Sequence, residues 1–150
     1  MSSDQSTDFL PRASGPTQEH AYRSGPRIVR LETVVPHDAM PGLLALRIHT
    51  DAGTVGGVPV IGHGETYYIP TAAAAVIHDF FAPRLLGSSA TAIESHWRFL
   101  YERMTAFGGW GAELRALSAV DLALWDIFGQ LQQLPVWRLL GGPEIGRAHV

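Results

Sequence analysis

Cysteine and lysine are both absent from this chain of 150 residues, and charge of either sign is sparse. Without cysteine there is no disulfide framework and no thiol nucleophile, a composition that fits a cytoplasmic setting. Without lysine there is no side-chain amine to act as a base; all eleven basic residues are arginine. Charged residues make up 17% of the chain and the net charge is −3, so neither nucleic acid nor a membrane surface is an expected partner. No apolar run approaches the ~20 residues needed to span a bilayer. The N-terminus also lacks the basic-then-apolar pattern of a secretory signal. What is there is a hydrophobic content of 46%, enough for one globular domain.

The strongest signal is SAVDLALWDIFGQLQQLPVWRLLGG, from Ser118 to Gly142. Leu117, Val120, Leu124, Ile127, Leu131 and Leu134 recur at steps of three and four, a stripe along one helix face. Ala119 and Leu122 fall on the far side, and Trp125 and Phe128 widen the apolar arc. A helix apolar over most of its circumference is buried on more than one side. The rest of the chain offers a partner for only one flank.

Upstream, residues 1–26 are rich in Ser, Asp, Thr, Gly and Pro and read as a disordered arm. RIVRLETVVP predicts a strand with Val29, Leu31, Thr33 and Val35 inward. LLALRIHT (43–50) predicts a second, with Leu44, Leu46 and Ile48 inward. Asp51-Ala52-Gly53 reads as the tight turn between antiparallel neighbours. A third strand runs from Thr54 to about Glu65, and Pro59 makes 57–59 bulge or loop out. After Pro70 the period becomes helical: Thr71 is the expected N-cap, Phe80 and Phe81 lie on the buried face, and Pro83 ends or kinks the helix. Thr91-x-x-Glu94 reads as the capping box of the next helix, which buries Ile93, Trp97, Leu100, Tyr101 and Met104. Three strands followed by three helices predict an α+β domain, a three-stranded antiparallel meander sheet against a three-helix bundle.

Few residues suggest chemistry. His63 and Glu65, in GHGE, project from one strand face and could share a metal or a proton. The competing reading, that glycines there let backbones approach closely, is the favoured one. His78 and Asp79 point about 100° apart on a helix and cannot converge. His49 and His96 have no partner in view and read as surface residues. Asp121 lies beside the buried stripe, so a structural partner, an arginine, is expected for it. Sequence physics alone predicts a domain with no active site of its own.

Two separated segments carry a resemblance. IHTDAGTVG…GHGETYYIP with HDFFAPRLLG, and ALSAVDLALWDIFGQLQQLPVWRLLGG, resemble the N-terminal domain of the enolase superfamily. The likeness is to the mandelate racemase/muconate lactonizing enzyme group, including galactonate dehydratase-like sugar-acid dehydratases, over about 27–143. GGVPV (56–60) looks like an insertion in its third strand. The resemblance implies a division of labour. A C-terminal (β/α) barrel would hold Mg²⁺ on three carboxylates and carry a Lys or His base that removes the proton α to a substrate carboxylate. The N-terminal domain would supply two capping loops that exclude water and select the substrate. By position those loops are Val35–Gly42 and roughly Glu65–Ile69, with His37, Met40, Tyr67 and Tyr68 facing substrate.

On this reading the chain itself holds neither catalytic residues nor metal. Its partners are the missing barrel, a small sugar-acid substrate and, for the parent enzyme, further copies of itself. The expectation is therefore a fragment, inactive alone. Its tail, EIGRAHV (144–150), continues neither helix pattern nor family; it back-translates to a common sequencing-adapter sequence and reads as non-native. The alternative is a free-standing, non-catalytic interaction module derived from the same domain.

Overall fold

The computed structural model describes residues 24–142. The greater part of the expected arm and the 144–150 tail lie outside the described residues. Residues 24–26, assigned above to the arm, lie along the 89–91 loop, where the Ser24 carbonyl accepts from Ser89 Oγ and the Pro26 carbonyl from Ala90 N–H.

Three strands, β1 (Ile28–Val34), β2 (Leu43–Val55) and β3 (Val58–Tyr67), form an antiparallel sheet in the order β1-β2-β3. Leu44, Leu46 and Ile48 alternate inward and are fully buried, as their spacing predicts. In β1 a register shift between Ile28 and Arg30 turns Ile28 into the core and leaves Val29 53% exposed, against the inward position expected for Val29. The turn is also displaced. Asp51-Ala52-Gly53 does not reverse the chain; residues 50–53 bulge opposite Val60 alone, and β2 continues to Val55. Asp51 anchors the bulge, donating its N–H to the Arg27 carbonyl and accepting from Arg27 N–H at 2.6 Å. The reversal falls at Gly56-Gly57, both with positive φ, joining the paired residues Val55 and Val58. Such a two-residue loop matches the strand twist and needs glycine-like backbone at both positions. GGVPV is thus the hairpin tip and the start of β3.

Helical segments follow the strands: α1 (Pro70–Ala75), a π-helical segment (Val76–Phe81), α2 (Ala82–Leu85), α3 (Ile93–Met104), α4 (Ala112–Gln132) and a one-turn α5 (Val136–Leu139). Pro83 neither ends nor sharply breaks the first run. It lacks an N–H and would clash with the carbonyl four residues back. The backbone widens instead, and Ala82 N–H reaches the Ile77 carbonyl five residues back. Neither expected cap forms. Ile69, left-handed, precedes Pro70 in place of a Thr71 cap, and Ala92 precedes α3 with no side-chain cap bond. Thr91 is turned toward Ser89 and the Ser24 carbonyl instead.

The long helix α4 crosses the inner face of β2 and β3 and is flanked by α1, the π-helical segment and α3. Its stripe is buried at Leu117, Val120, Leu124 and Ile127. Ala119 is buried too, not on an open far side, because β3 presents glycines to it. A Cβ on Gly64 would stand 2.0 Å from the Ala119 carbonyl oxygen, and one on Gly62 2.1 Å from that of Ala123. Leu122, by contrast, is 51% exposed. Among the described residues no helix is long and apolar enough to cross a membrane.

Candidate functional site

The sheet brings two connecting segments to one of its ends. Leu43 at the start of β2 pairs with Tyr67 at the end of β3, and Val34 at the end of β1 pairs with Ala45. The 35–42 loop and the 68–69 link therefore leave the sheet side by side. The first is braced by its own backbone: the Pro36 carbonyl accepts from Ala39 and Met40 N–H, and the Met40 carbonyl from Leu43 N–H. A Cβ on Gly42 would meet the Tyr67 ring at 3.5 Å, so the aromatic side chain lies against that loop.

The second link is short and strained. Tyr68 has φ 64° and Ile69 φ 36°, two successive non-glycine residues in the left-handed region, one of them β-branched. Such backbone is uncommon and persists where the surroundings hold it. Arg115, in the first turns of α4, does so from beneath: Nη1 donates to the Tyr67 carbonyl at 2.8 Å, and the guanidinium lies 4.8 Å from the Tyr68 ring centroid. Tyr67 and Tyr68 meet edge to face, centroids 6.1 Å apart. His37, Met40, Tyr67 and Tyr68 are all exposed at this end of the sheet. Arg115 carried no sequence signal, since its contacts lie 47 and 48 residues upstream.

The GHGE motif is a packing device in this fold. Gly62 and Gly64 admit α4, while His63 and Glu65 face outward. His63 finds Asp126 rather than Glu65: its N–H donates to Asp126 Oδ2 at 2.8 Å and its ring Nδ1 lies 3.3 Å from the same oxygen. Gln130 Nε2 donates to that oxygen and to the Ile61 carbonyl. Two α4 side chains thereby occupy the hydrogen-bonding edge of β3, which would otherwise invite pairing with another chain.

His96 and His49 differ from the surface reading. His96 is 3% exposed, and its Nε2–H donates to the Ser89 carbonyl at 2.8 Å. Burial lowers its pKa, partly offset by that bond. His49 lies 3.2 Å from Glu32 and 2.8 Å from Arg30 across the strand pair. The His49 bond, with Arg30 and Arg47 beside it, holds Glu32 below its ordinary pKa. His78 meets Thr33 Oγ1 at the surface and does not converge with Asp79.

Among the described residues no arginine pairs with Asp121. Burial, then the nearby Glu94, raise its pKa, while Glu94 itself reaches Arg98 at 3.5 Å. Both carboxylates line an open groove of about 570 Å³ between α3 and α4, floored by Ile93, Trp97, Trp125 and Phe128. Leu122 and Trp125 continue this apolar flank onto the neighbouring shelf beside Val136. Among the described residues no group of three or more His, Cys, Asp or Glu could hold a metal ion.

Residues 28–141 match the family model of the mandelate racemase / muconate lactonizing enzyme N-terminal domain. An L-rhamnonate dehydratase of Saccharopolyspora erythraea is 36% identical over 103 residues, 68% of this chain and 24% of that protein. A D-mannonate dehydratase of Sphingomonas sp. is 35% identical over 119 residues, 78% of this chain and 28% of that protein. A mandelate racemase/muconate lactonizing protein from Paracoccus denitrificans, solved with magnesium, superposes with a TM-score of 0.67 at 30% identity, covering 79% of this chain and 31% of that one. The chain thus spans about a quarter of the relatives' length.

Proposed function

The chain belongs to the mandelate racemase / muconate lactonizing enzyme family through its N-terminal domain, and from that premise we propose that it caps the active site of a Mg²⁺-dependent sugar-acid dehydratase and selects its substrate. The observation that carries this reading is the pairing of loop 35–42 with the Tyr67-Tyr68-Ile69 link at one end of the sheet. Two exposed tyrosines and Met40 offer apolar area with hydroxyl groups at the rim, suited to covering a polyhydroxy acid while excluding water.

The proton α to the substrate carboxylate is removed on a separate barrel domain of the parent enzyme. Mg²⁺ held there would supply charge stabilisation to the substrate carboxylate as the proton leaves. Among the described residues no three His, Cys, Asp or Glu side chains are grouped to hold a metal ion, and the contribution we assign to this domain is binding, orientation and desolvation. The open flank of α4, carrying Leu122, Trp125 and Phe128, is the surface on which the barrel packs. Buried there, Asp121 requires a donor from the partner domain, since no described residue supplies one.

A domain exchange tests the reading. Residues 24–142 replace the N-terminal domain of the Saccharopolyspora L-rhamnonate dehydratase, and steady-state dehydration is measured on a sugar-acid panel. The expected result is an active chimera whose KM shifts several-fold on Tyr68→Ala or Tyr67→Ala, with kcat less affected. A folded chimera indifferent to substitution at His37, Met40, Tyr67 and Tyr68 overturns the capping role. A chain that stays monodisperse and never associates with a barrel favours the free-standing module.

A further inference from the structure

We infer that Arg115 is the positioning residue of the capping link: one side chain on α4 holds the Tyr67-Tyr68-Ile69 backbone in its left-handed form and sets the direction in which Tyr68 is presented. The consequence for substrate rests on the capping role proposed above; the mechanical claim stands without it.

Tyr68 and Ile69 are consecutive, carry side chains, and both have positive φ. The relaxed alternative for such residues is extended or right-handed helical backbone. Three groups hold them where they are. Leu43 pairs with Tyr67 and ends the ladder on one side. Pro70 opens α1 on the other, with the Ile69 carbonyl accepting from Ala73 N–H. These two act on the backbone; the Tyr68 ring is 66% exposed. Arg115 grips both parts: its 2.8 Å bond fixes the Tyr67 carbonyl, just before the strained pair, and its guanidinium lies over the Tyr68 ring, 4.8 Å from the centroid.

Arginine suits this task where lysine would not. Its rigid planar fork donates to a carbonyl from one edge while its face stacks on a ring, and it is charged at every relevant pH. The anchor is also stiff. Arg115 is followed directly by Ala116 and Leu117, which are 0% and 1% exposed in the core. Among the described residues no carboxylate forms an ion pair with it, so its hydrogen bond and ring contact are directed at this link alone.

Amide hydrogen exchange on the full 150-residue chain, compared among wild type, Arg115→Ala and Arg115→Lys, tests the mechanical claim. The expected result is an increase of about tenfold or more confined to the amides of Tyr67, Tyr68 and Ile69 in Arg115→Ala, with α4 and the sheet unchanged, and partial recovery in Arg115→Lys. Unchanged exchange at Tyr68 and Ile69, or a uniform rise across α4 and β3, overturns it. In the chimera, Arg115→Ala is expected to raise KM in the same direction as Tyr68→Ala, and the double variant little further. A local exchange effect with unmoved KM leaves Arg115 as the holder of the link and removes the substrate-facing role of the tyrosines. Unmoved exchange removes the Arg115 claim whatever KM does.

Discussion

Replacing Gly64 by alanine tests whether GHGE is packing or chemistry. The added Cβ would stand 2.0 Å from the Ala119 carbonyl oxygen, 3.0 Å from its carbon and 3.1 Å from Ala123 N. A carbon needs about 3.3 Å from a carbonyl oxygen, so α4 must retreat by roughly 1.3 Å. Every obstructing atom belongs to helix backbone, which has no rotamer to change. A retreat of that size opens a gap along Leu44, Leu46, Val120 and Leu124, and a gap of about 0.5–1 Å already forfeits a quarter to a half of each dispersion contact. Overpacking costs about 1–3 kcal/mol where neighbours can adjust. Here they cannot, so Gly64→Ala is expected at about 3 kcal/mol or more, a fall in Tm on the order of 10 °C. Urea denaturation reads this as a lowered midpoint at unchanged slope. His63→Ala and Glu65→Ala, both on the outer face, should stay within about 0.5–1 kcal/mol of wild type. A Gly64→Ala chain as stable as the parent, or a larger loss at His63 or Glu65, refutes the reasoning.

Two pH predictions follow from the shifted groups. His96 is held below its ordinary pKa by burial, so the unfolded chain takes up the proton first; its contribution to stability is complete above about pH 6.5 and is lost as pH falls below that value. Thermal melts between pH 8 and 5 should show His96→Gln with a flatter profile than wild type, and parallel profiles would contradict this. Asp121 is shifted the other way, raised by burial and Glu94. The folded chain binds that proton more readily, so the ionised carboxylate opposes folding above its folded pKa and the penalty fades as pH falls toward 3.8. Asp121→Asn should therefore raise Tm at pH 7 and lose its advantage near pH 4. A lower Tm at pH 7 would restore the arginine partner that the sequence suggested.

Periodic burial was legible where it depended on one element. Leu44, Leu46 and Ile48 alternate on a straight part of β2, and Leu117 to Ile127 recur along one helix, so spacing alone places them. Turn chemistry was ambiguous, because Asp-Ala-Gly serves a bulge as well as a reversal; Gly53 does adopt positive φ, within a strand that continues. Ala119 was misplaced because helix periodicity says nothing about a partner made of glycine. A usable signal existed. Gly62 and Gly64 repeat every two strand residues, about 6.7 Å, and Ala119 and Ala123 every four helix residues, 6 Å, so small residues on the two elements come into register. His96 escaped because its partner is a backbone carbonyl, which any residue carries. Arg115 escaped because a cation over a ring leaves no local pattern. The two loops of the candidate site came from family likeness, and the strained link between Tyr68 and Pro70 emerged only with the backbone.

In the function we propose, this domain covers and selects while chemistry belongs to another domain. The most direct measurement is steady-state turnover by the purified chain alone, with excess Mg²⁺ and a panel of sugar acids including L-rhamnonate and D-mannonate. No product above the uncatalysed rate is expected at any chain concentration. Product that rises in proportion to the chain would contradict it.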